Sequence, residues 1–215
     1  MNVKKLYSSK RTKGYIIGDE KRYFLKVFYG HSFNVYLKSI KTIYNRSRPE
    51  NEFFFSKFLN KKDIKTIDVL RYKSKTFLKF LKLDVGYTIS NYENIIPLDK
   101  LKNDANFSRL ILESVCLSAK LHNLSVRHGD LSVSNFGFNG REIILIDLET
   151  MSFTFSVYQT AKEFADYLYD IWKNRPDLDL TEILKVYISQ INLSDRKREK
   201  FRKFALGKLK KWGIL

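Results

Sequence analysis

One cysteine, three prolines and nine glycines in 215 residues put several classes of protein out of reach. A single thiol, Cys116, cannot build an internal disulfide framework. Its place in an apolar helical pattern suits a buried, inert side chain in a reducing compartment. So little Pro and Gly argues against long linkers. No apolar run approaches the roughly 18 residues that a membrane span needs. The basic start Met1-Asn2-Val3-Lys4-Lys5 is followed only by Leu6 and Tyr7 before Ser8, Ser9, Lys10 and Arg11, so no signal peptide is expected. The expectation is a cytoplasmic protein, with peripheral attachment to a membrane left open. Three histidines without paired carboxylate spacing give no zinc-type signal. Zinc-finger spacing, an RNA-recognition signature and a heptad-based basic helix are all missing, so nucleic acid is not the expected partner.

What is present is a folded chain with a large positive excess. Hydrophobic residues make up 44% and aromatics 15%, which suits one large domain or two small lobes with a substantial core and excludes a disordered tail. Forty Lys and Arg stand against 23 Asp and Glu, a formal charge of +17. Such an excess calls for an anionic partner: nucleic acid, an acidic membrane surface or a phosphorylated substrate. A lysine-rich solvated surface is the plainer explanation for part of it.

The chain is organised around Val126-Arg127-His128-Gly129-Asp130-Leu131-Ser132-Val133-Ser134-Asn135, which reads H-G-D-x-x-x-x-N. A turn at Asn139-Gly140 follows, then the apolar run Ile143-Ile144-Leu145-Ile146, which ends on Asp147-Leu148-Glu149. Two carboxylates and an amide at this spacing are what phosphoryl transfer from a nucleotide requires. Asp130 would orient the attacking hydroxyl and take its proton, while Asn135 and Asp147 would hold magnesium against the phosphates. The alternative is that Asp130 and Asn135 only cap backbone groups in a loop and Asp147 only ends a strand.

The N-terminal half supplies matching parts. Lys4 to Phe28 reads as an antiparallel meander: Gly14–Ile17 and Arg22–Phe28 are strands around a turn at Gly18–Lys21. Lys26, set between Leu25 and Val27, resembles the strand lysine with which a kinase grips nucleotide phosphates; the alternative is an outward-facing strand lysine. Ser8 to Gly14 occupies the place of a phosphate-covering glycine loop with a single glycine. Residues 33–46 read as helical. Ser47-Arg48-Pro49-Glu50-Asn51-Glu52 opens a helix, from which Glu52 would pair with Lys26; Glu50 is the alternative, although it also suits the helix N-terminus. Ile67–Tyr72 and Lys75–Leu81 read as a hairpin around Lys73-Ser74, and Lys82–Gly86 as a hinge. This gives an N-lobe of residues 1–85 and a C-lobe of residues 86–215.

Beyond the hinge the pattern turns helical. Phe107, Leu110, Ile111, Val115, Leu117, Ala119 and Leu121 make a long apolar face. His122 and His128 read as packing or loop-orienting residues. In the helix that starts near Ala161, Asp166 is a candidate to brace the catalytic loop. Leu178–Ile191 and Arg196–Leu215 close the chain, the last as a basic helix interleaved with apolar residues. It suits either membrane-surface contact or a packed helix with a solvated basic face.

In order, Lys26, Glu52, His128-Gly129-Asp130, Asn135 and Asp147-Leu148-Glu149 resemble the protein-kinase-like superfamily. The small size, the H-G-D form and the short segment after Glu149 are similar to the bacterial lipopolysaccharide core heptose(II) kinases and their Kdo-kinase relatives. That resemblance implies an α+β, two-lobed fold with a small antiparallel sheet and a mainly helical second lobe. It also implies ATP and magnesium as cofactors, with Lys26, Glu52, Asn135 and Asp147 at the nucleotide. The implied activity is phosphorylation of a heptose or Kdo hydroxyl on an anionic glycolipid, at the inner face of the bacterial inner membrane. The alternatives are another small-molecule or protein kinase of the same fold, or a catalytically degenerate binding module.

Overall fold

The computed structural model describes residues 2–9, 11–29, 40–42, 46–77 and 81–215. The chain divides into two compact units. The first comprises Met1–Asn94 together with Asp147–Thr150; the second comprises Ile95–Ile146 and Met151–Leu215.

The first unit is built on an antiparallel sheet. Its strands are β1 (Val3–Ser8), β2 (Thr12–Ile17), β3 (Tyr23–Phe28), β4 (Ile40–Thr42), β5 (Val69–Phe77) and β6 (Leu81–Asn91). Their order is β1-β2-β3-β6-β4, and β5 also pairs with β6. The meander expected over Lys4 to Phe28 is present, with Gly14 opposite Lys26 and Lys26 opposite Thr88. Burial alternates along β2, so one face of the sheet is covered. The covering helix α1 (Arg48–Asn60) buries Phe55 and Leu59. At its N-terminus the Glu50 carboxylate accepts the Ser47 N–H (3.4 Å) and the Asp84 carboxylate accepts the Arg48 N–H (2.9 Å). Both acids complement the positive end of the helix.

Three expectations change here. Ile40–Thr42 is a strand paired with β6, so helix does not run unbroken over 33–46; residues 33–39 and 43–45 lie outside the described residues. No turn forms at Lys73-Ser74, because β5 runs straight through those residues and pairs across with β6 down to Phe77 opposite Leu81. The expected hinge is likewise strand: the boundary placed after Val85 falls inside β6, and the first unit extends to Asn94. Gly86 is there for close packing. It sits opposite Ser74, beside a register shift in β5, and a Cβ on it would lie 1.9 Å from the Lys73 carbonyl oxygen. A glycine in a strand interior marks such an approach.

The second unit is mainly helical: α2 (Phe107–Asn123), α3 (Val157–Asn174), α4 (Leu180–Gln190) and α5 (Asp195–Lys211). Short strands β7 (Ile96–Pro97), β9 (Phe136–Phe138) and β10 (Ile143–Leu145) form one small sheet, and β8 (Val126–Arg127) pairs with β11 (Ser152–Phe153). The helical core is aromatic. The Phe164 ring stacks on Tyr187 with centroids 3.6 Å apart, and Tyr187 stacks on Phe201 at 5.1 Å. In α5 the apolar residues Phe201, Ala205 and Leu209 are fully buried while Arg196, Lys197, Lys200, Arg202 and Lys203 are exposed. The apolar stripe of α5 is thus part of the core and only its basic face meets solvent.

Replacing Gly86 with Ala should cost about 1–3 kcal/mol, because the methyl group must displace backbone. Urea denaturation checks this: a lower midpoint with an unchanged m value is expected.

Candidate active site

In the first unit, β3 and α1 bring a buried lysine against acids. The Lys26 side chain is 6% exposed; its Nζ lies 3.2 Å from Glu52 Oε1, 2.5 Å from Asp147 Oδ1 and 2.8 Å from Glu149 Oε2. Glu52 is the partner and Glu50 is not, since helical geometry turns Glu52 inward while Glu50 stays at the capping end. Thr88 Oγ1–H on β6 donates to the second Glu52 oxygen (3.1 Å), so both carboxylate oxygens have donors. The Arg48 guanidinium pairs with Glu149, and Asn51 Nδ2–H donates to the Glu149 carbonyl (2.9 Å). Arg48 and Lys26 both lie over the Phe28 ring, about 5 Å from its centroid. Asp147 takes a left-handed backbone, φ 59°, which Asp tolerates better than most residues.

Charge balance sets the protonation here. Burial works against the Lys26 ammonium, yet Glu52, Asp147 and Glu149 outweigh it and raise its pKa well above the ordinary lysine value. Burial also lifts the Glu52 carboxyl to about 7, with Lys26 pulling it down and Glu149 and Asp147 pushing it further up. Among the described residues the Glu52, Asp147 and Glu149 carboxyls gather around Lys26 and Arg48. Among the described residues no three His, Cys, Asp or Glu side chains form a ready metal cage. Magnesium rarely uses one; it is bound by one or two carboxylates plus substrate phosphates and water. The donor set therefore fits a magnesium–nucleotide better than a bare ion.

The place of a glycine-rich loop is taken by a tight turn. The Ser9 hydroxyl accepts the N–H groups of Thr12 (2.9 Å) and Arg11 (3.2 Å); Lys10 lies outside the described residues. Gly14 lets the Tyr7 ring lie close against the strand, since a Cβ there would come within 2.3 Å of it.

In the second unit the H-G-D loop hangs from α3. One carboxylate, Glu163, accepts the His128 N–H (3.0 Å), the Gly129 N–H (2.5 Å) and the His122 ring at Nε2 (2.9 Å). His122 Nδ1 faces the Tyr187 hydroxyl at 2.5 Å, so both ring nitrogens have a partner. Seven residues on from Glu163, two turns along the same helix, the pattern recurs: the Asp170 carboxylate accepts the Val133 N–H (2.8 Å). Asp166, the expected brace, instead pairs with Lys162 at the surface (3.1 Å). It lies about 60° round the helix from Glu163, which turns it off the loop. His128 is fully buried and its Nε2–H donates to the Ile146 carbonyl (3.0 Å), an orienting role. Gly129 has φ 85°, a left-handed turn that explains glycine at this position. Asn135 Nδ2–H donates to the Asp130 carbonyl (2.7 Å), leaving the amide oxygen as its ligand-capable end. Asp130 is exposed, and its carboxylate has no hydrogen-bond partner among the described residues.

The sequence reading thus missed Arg48, Glu149, Glu163 and Asp170 as site residues. Only Glu163 and Asp170 had a readable signal, seven residues apart and so on one face of a helix.

No protein-family model matches this chain, and no curated relative does. Solved structures do. WaaP in complex with acyl carrier protein is 13% identical, with 92% of this chain and 88% of that chain covered at a TM-score of 0.53. An amicoumacin kinase bound to AMP-PNP, Ca2+ and amicoumacin is 13% identical, covering 96% and 80% at 0.50. The Rio2 kinase ADP/Mg2+–phosphoaspartate complex from Chaetomium thermophilum is 15% identical, covering 95% and 69% at 0.60. The fold is α+β and protein-kinase-like.

Burial alone would raise the Glu163 carboxyl, but hydrogen bonds from His122, Gly129 and His128 hold it below the ordinary glutamate value of 4.5. A lowered folded-state pKa gives stability that is complete above the unfolded value and is lost as pH falls through the folded one. Glu163→Gln should therefore lose about 1–3 kcal/mol at neutral pH and show a flatter stability profile below pH 4.5. Denaturation midpoints across acid pH check both.

Proposed function

We propose that this protein is an ATP-dependent phosphotransferase that phosphorylates a sugar hydroxyl, heptose or Kdo, of the lipopolysaccharide inner core. The observation that carries the reading is the buried Lys26 ammonium held by Glu52 and Asp147 on a protein-kinase-like fold. A lysine so placed serves to bind nucleotide phosphates, and a helix glutamate holds it in position. The sugar acceptor is supported by the H-G-D form and by the short run from Thr150 to Ser156 before α3, which leaves little chain for docking a protein. Fold likeness to WaaP over most of both chains adds to this.

In this mechanism Asp130 accepts the proton of the acceptor hydroxyl as its oxygen attacks the γ-phosphorus. The bond to the β,γ-bridging oxygen breaks and ADP leaves. Lys26 binds the α- and β-phosphates and Glu52 orients Lys26. Asn135, through its amide oxygen, and Asp147 are the residues that would hold magnesium. Bound magnesium would neutralise charge on the phosphate oxygens. Glu163 and Asp170 fix the loop so that Asp130 meets the acceptor in one geometry, and alignment with charge neutralisation supplies the rate enhancement.

The acceptor would reach the enzyme at an acidic membrane surface. Among the described residues no helix is long and apolar enough to cross a membrane. The basic face of α5 and the exposed rings of Phe155 (90%) and Tyr158 (61%) support peripheral contact, with Tyr158 edge-on against Phe204 of α5 at 4.7 Å. Aromatic and basic side chains together favour the headgroup region of anionic bilayers.

Asp130→Asn should cut transfer of labelled γ-phosphate from ATP to purified lipopolysaccharide core by about 10²–10⁴-fold while magnesium–ATP still raises the melting temperature. Full activity in a folded variant would refute the role given to Asp130. Transfer to aminoglycosides or a protein, with none to the core, would redirect the acceptor. No nucleotide effect at all would favour a degenerate binding module. The protein should also sediment with vesicles containing anionic lipid, less so with neutral ones, and release as salt rises; equal behaviour with both would count against membrane contact.

A further inference from the structure

Beside Asp130 the second unit has a cleft of ≈160 Å³, lined by Arg127, Asp130, Gln159, Lys162, Glu163 and Asp166, with Gly129 and Leu131. Most of its charges are already matched. Glu163 is saturated by the two loop N–H groups and His122. Asp166 is paired with Lys162, an exposed pair at 3.1 Å that exchanges partners at little cost. Two charges remain: the Asp130 carboxylate and the Arg127 guanidinium.

Arg127 is held in place without being neutralised. It sits on β8 opposite Ser152 of β11, and its Nε–H donates to the Ser152 hydroxyl at 2.8 Å. Among the described residues no carboxylate pairs with it, and its Nη groups carry no hydrogen bond. A guanidinium anchored through Nε presents the planar end that binds phosphate or carboxylate with two parallel hydrogen bonds. Gln159 is positioned from the neighbouring loop, accepting the Thr154 hydroxyl at Oε1 (2.8 Å), so its amide N–H₂ group can donate to an oxygen in the cleft. The cleft thus offers one base, one anion clamp and one neutral donor within a volume suited to about one sugar ring.

We propose that this cleft is the acceptor subsite, and that it selects a sugar carrying an anionic substituent, phosphate or carboxylate. Arg127 binds the anion with Lys162 as auxiliary cation, Gln159 donates to a ring substituent, and the hydroxyl to be phosphorylated faces Asp130. The proposal rests on the kinase reading above, and it explains the specificity of that reaction by one side chain.

The test is isothermal titration of glucose, glucose 6-phosphate and glucuronate into the wild type, Arg127→Gln and Lys162→Gln, with thermal melting to verify folding. Lys162 is half exposed, so its variant stays informative if Arg127→Gln fails to fold. The wild type should bind an anionic sugar about ten-fold or more tightly than glucose, as a charge-assisted bidentate contact implies. Arg127→Gln should abolish that preference and Lys162→Gln should reduce it. Stronger binding of glucose 6-phosphate assigns phosphate as the anion; stronger binding of glucuronate assigns carboxylate. No preference in the wild type, or a preference that survives in both variants, overturns the subsite. Magnesium–ADP titrated into the same samples reports separately on the kinase reading: loss of nucleotide binding defeats that reading whatever the sugars do.

Discussion

A buried ammonium cannot stand alone, and the first unit is arranged around that constraint. Leaving a charge of this kind unpaired in the interior costs several kcal/mol. Lys26 on β3 therefore requires acids from elsewhere, and it draws on two elements: Glu52 from α1, and Asp147 and Glu149 from the segment that belongs to the first unit although it lies far along the chain. Arg48 and Asn51 tie α1 to the same segment. The sheet, its helix and the Asp-Leu-Glu run are thereby placed by one electrostatic requirement.

The second unit solves a related problem with neutral donors. The H-G-D loop exposes backbone N–H groups that a regular element would have paired, and buried ones would be costly to leave unmet. Glu163 and Asp170, seven residues apart on α3, accept them. The His122–Tyr187 contact then anchors Glu163 to the aromatic core. Core packing and loop geometry are linked: the acids that brace the loop sit on a helix of the core, and Asp130 gives its backbone carbonyl, not its carboxylate, to Asn135.

Much of the fold was legible. Alternating aromatic and β-branched residues marked β2 and β3, and period-3.6 apolar positions marked α2 and α3. Where the reading failed, the residues carried the right propensity but the wrong boundary. Lys73-Ser74 looks like a turn, yet β6 offers β5 a long partner and the chain stays extended with an irregular register. Gly86 looks like a hinge because glycine is common in both hinges and close strand contacts, and only the neighbouring Lys73 carbonyl tells which it is. The basic face of α5 was readable from spacing; that its apolar side packs on α3 and is not free to insert depended on what stood opposite.

By itself, the sequence determined which chemical groups are available: the H-G-D-x-x-x-x-N spacing, the acid ending the strand run, and a strand lysine. These are local facts, set by the order of residues along a loop or strand. Tertiary structure alone decided the pairings. It chose Glu52 over Glu50, Glu163 over Asp166, and added Arg48 and Glu149 to the lysine cluster. The physical reason is that such contacts join residues as far apart in the chain as Lys26 and Glu149, and a helix acid becomes a brace or a surface charge according to a rotation of about 60° that packing, not composition, sets.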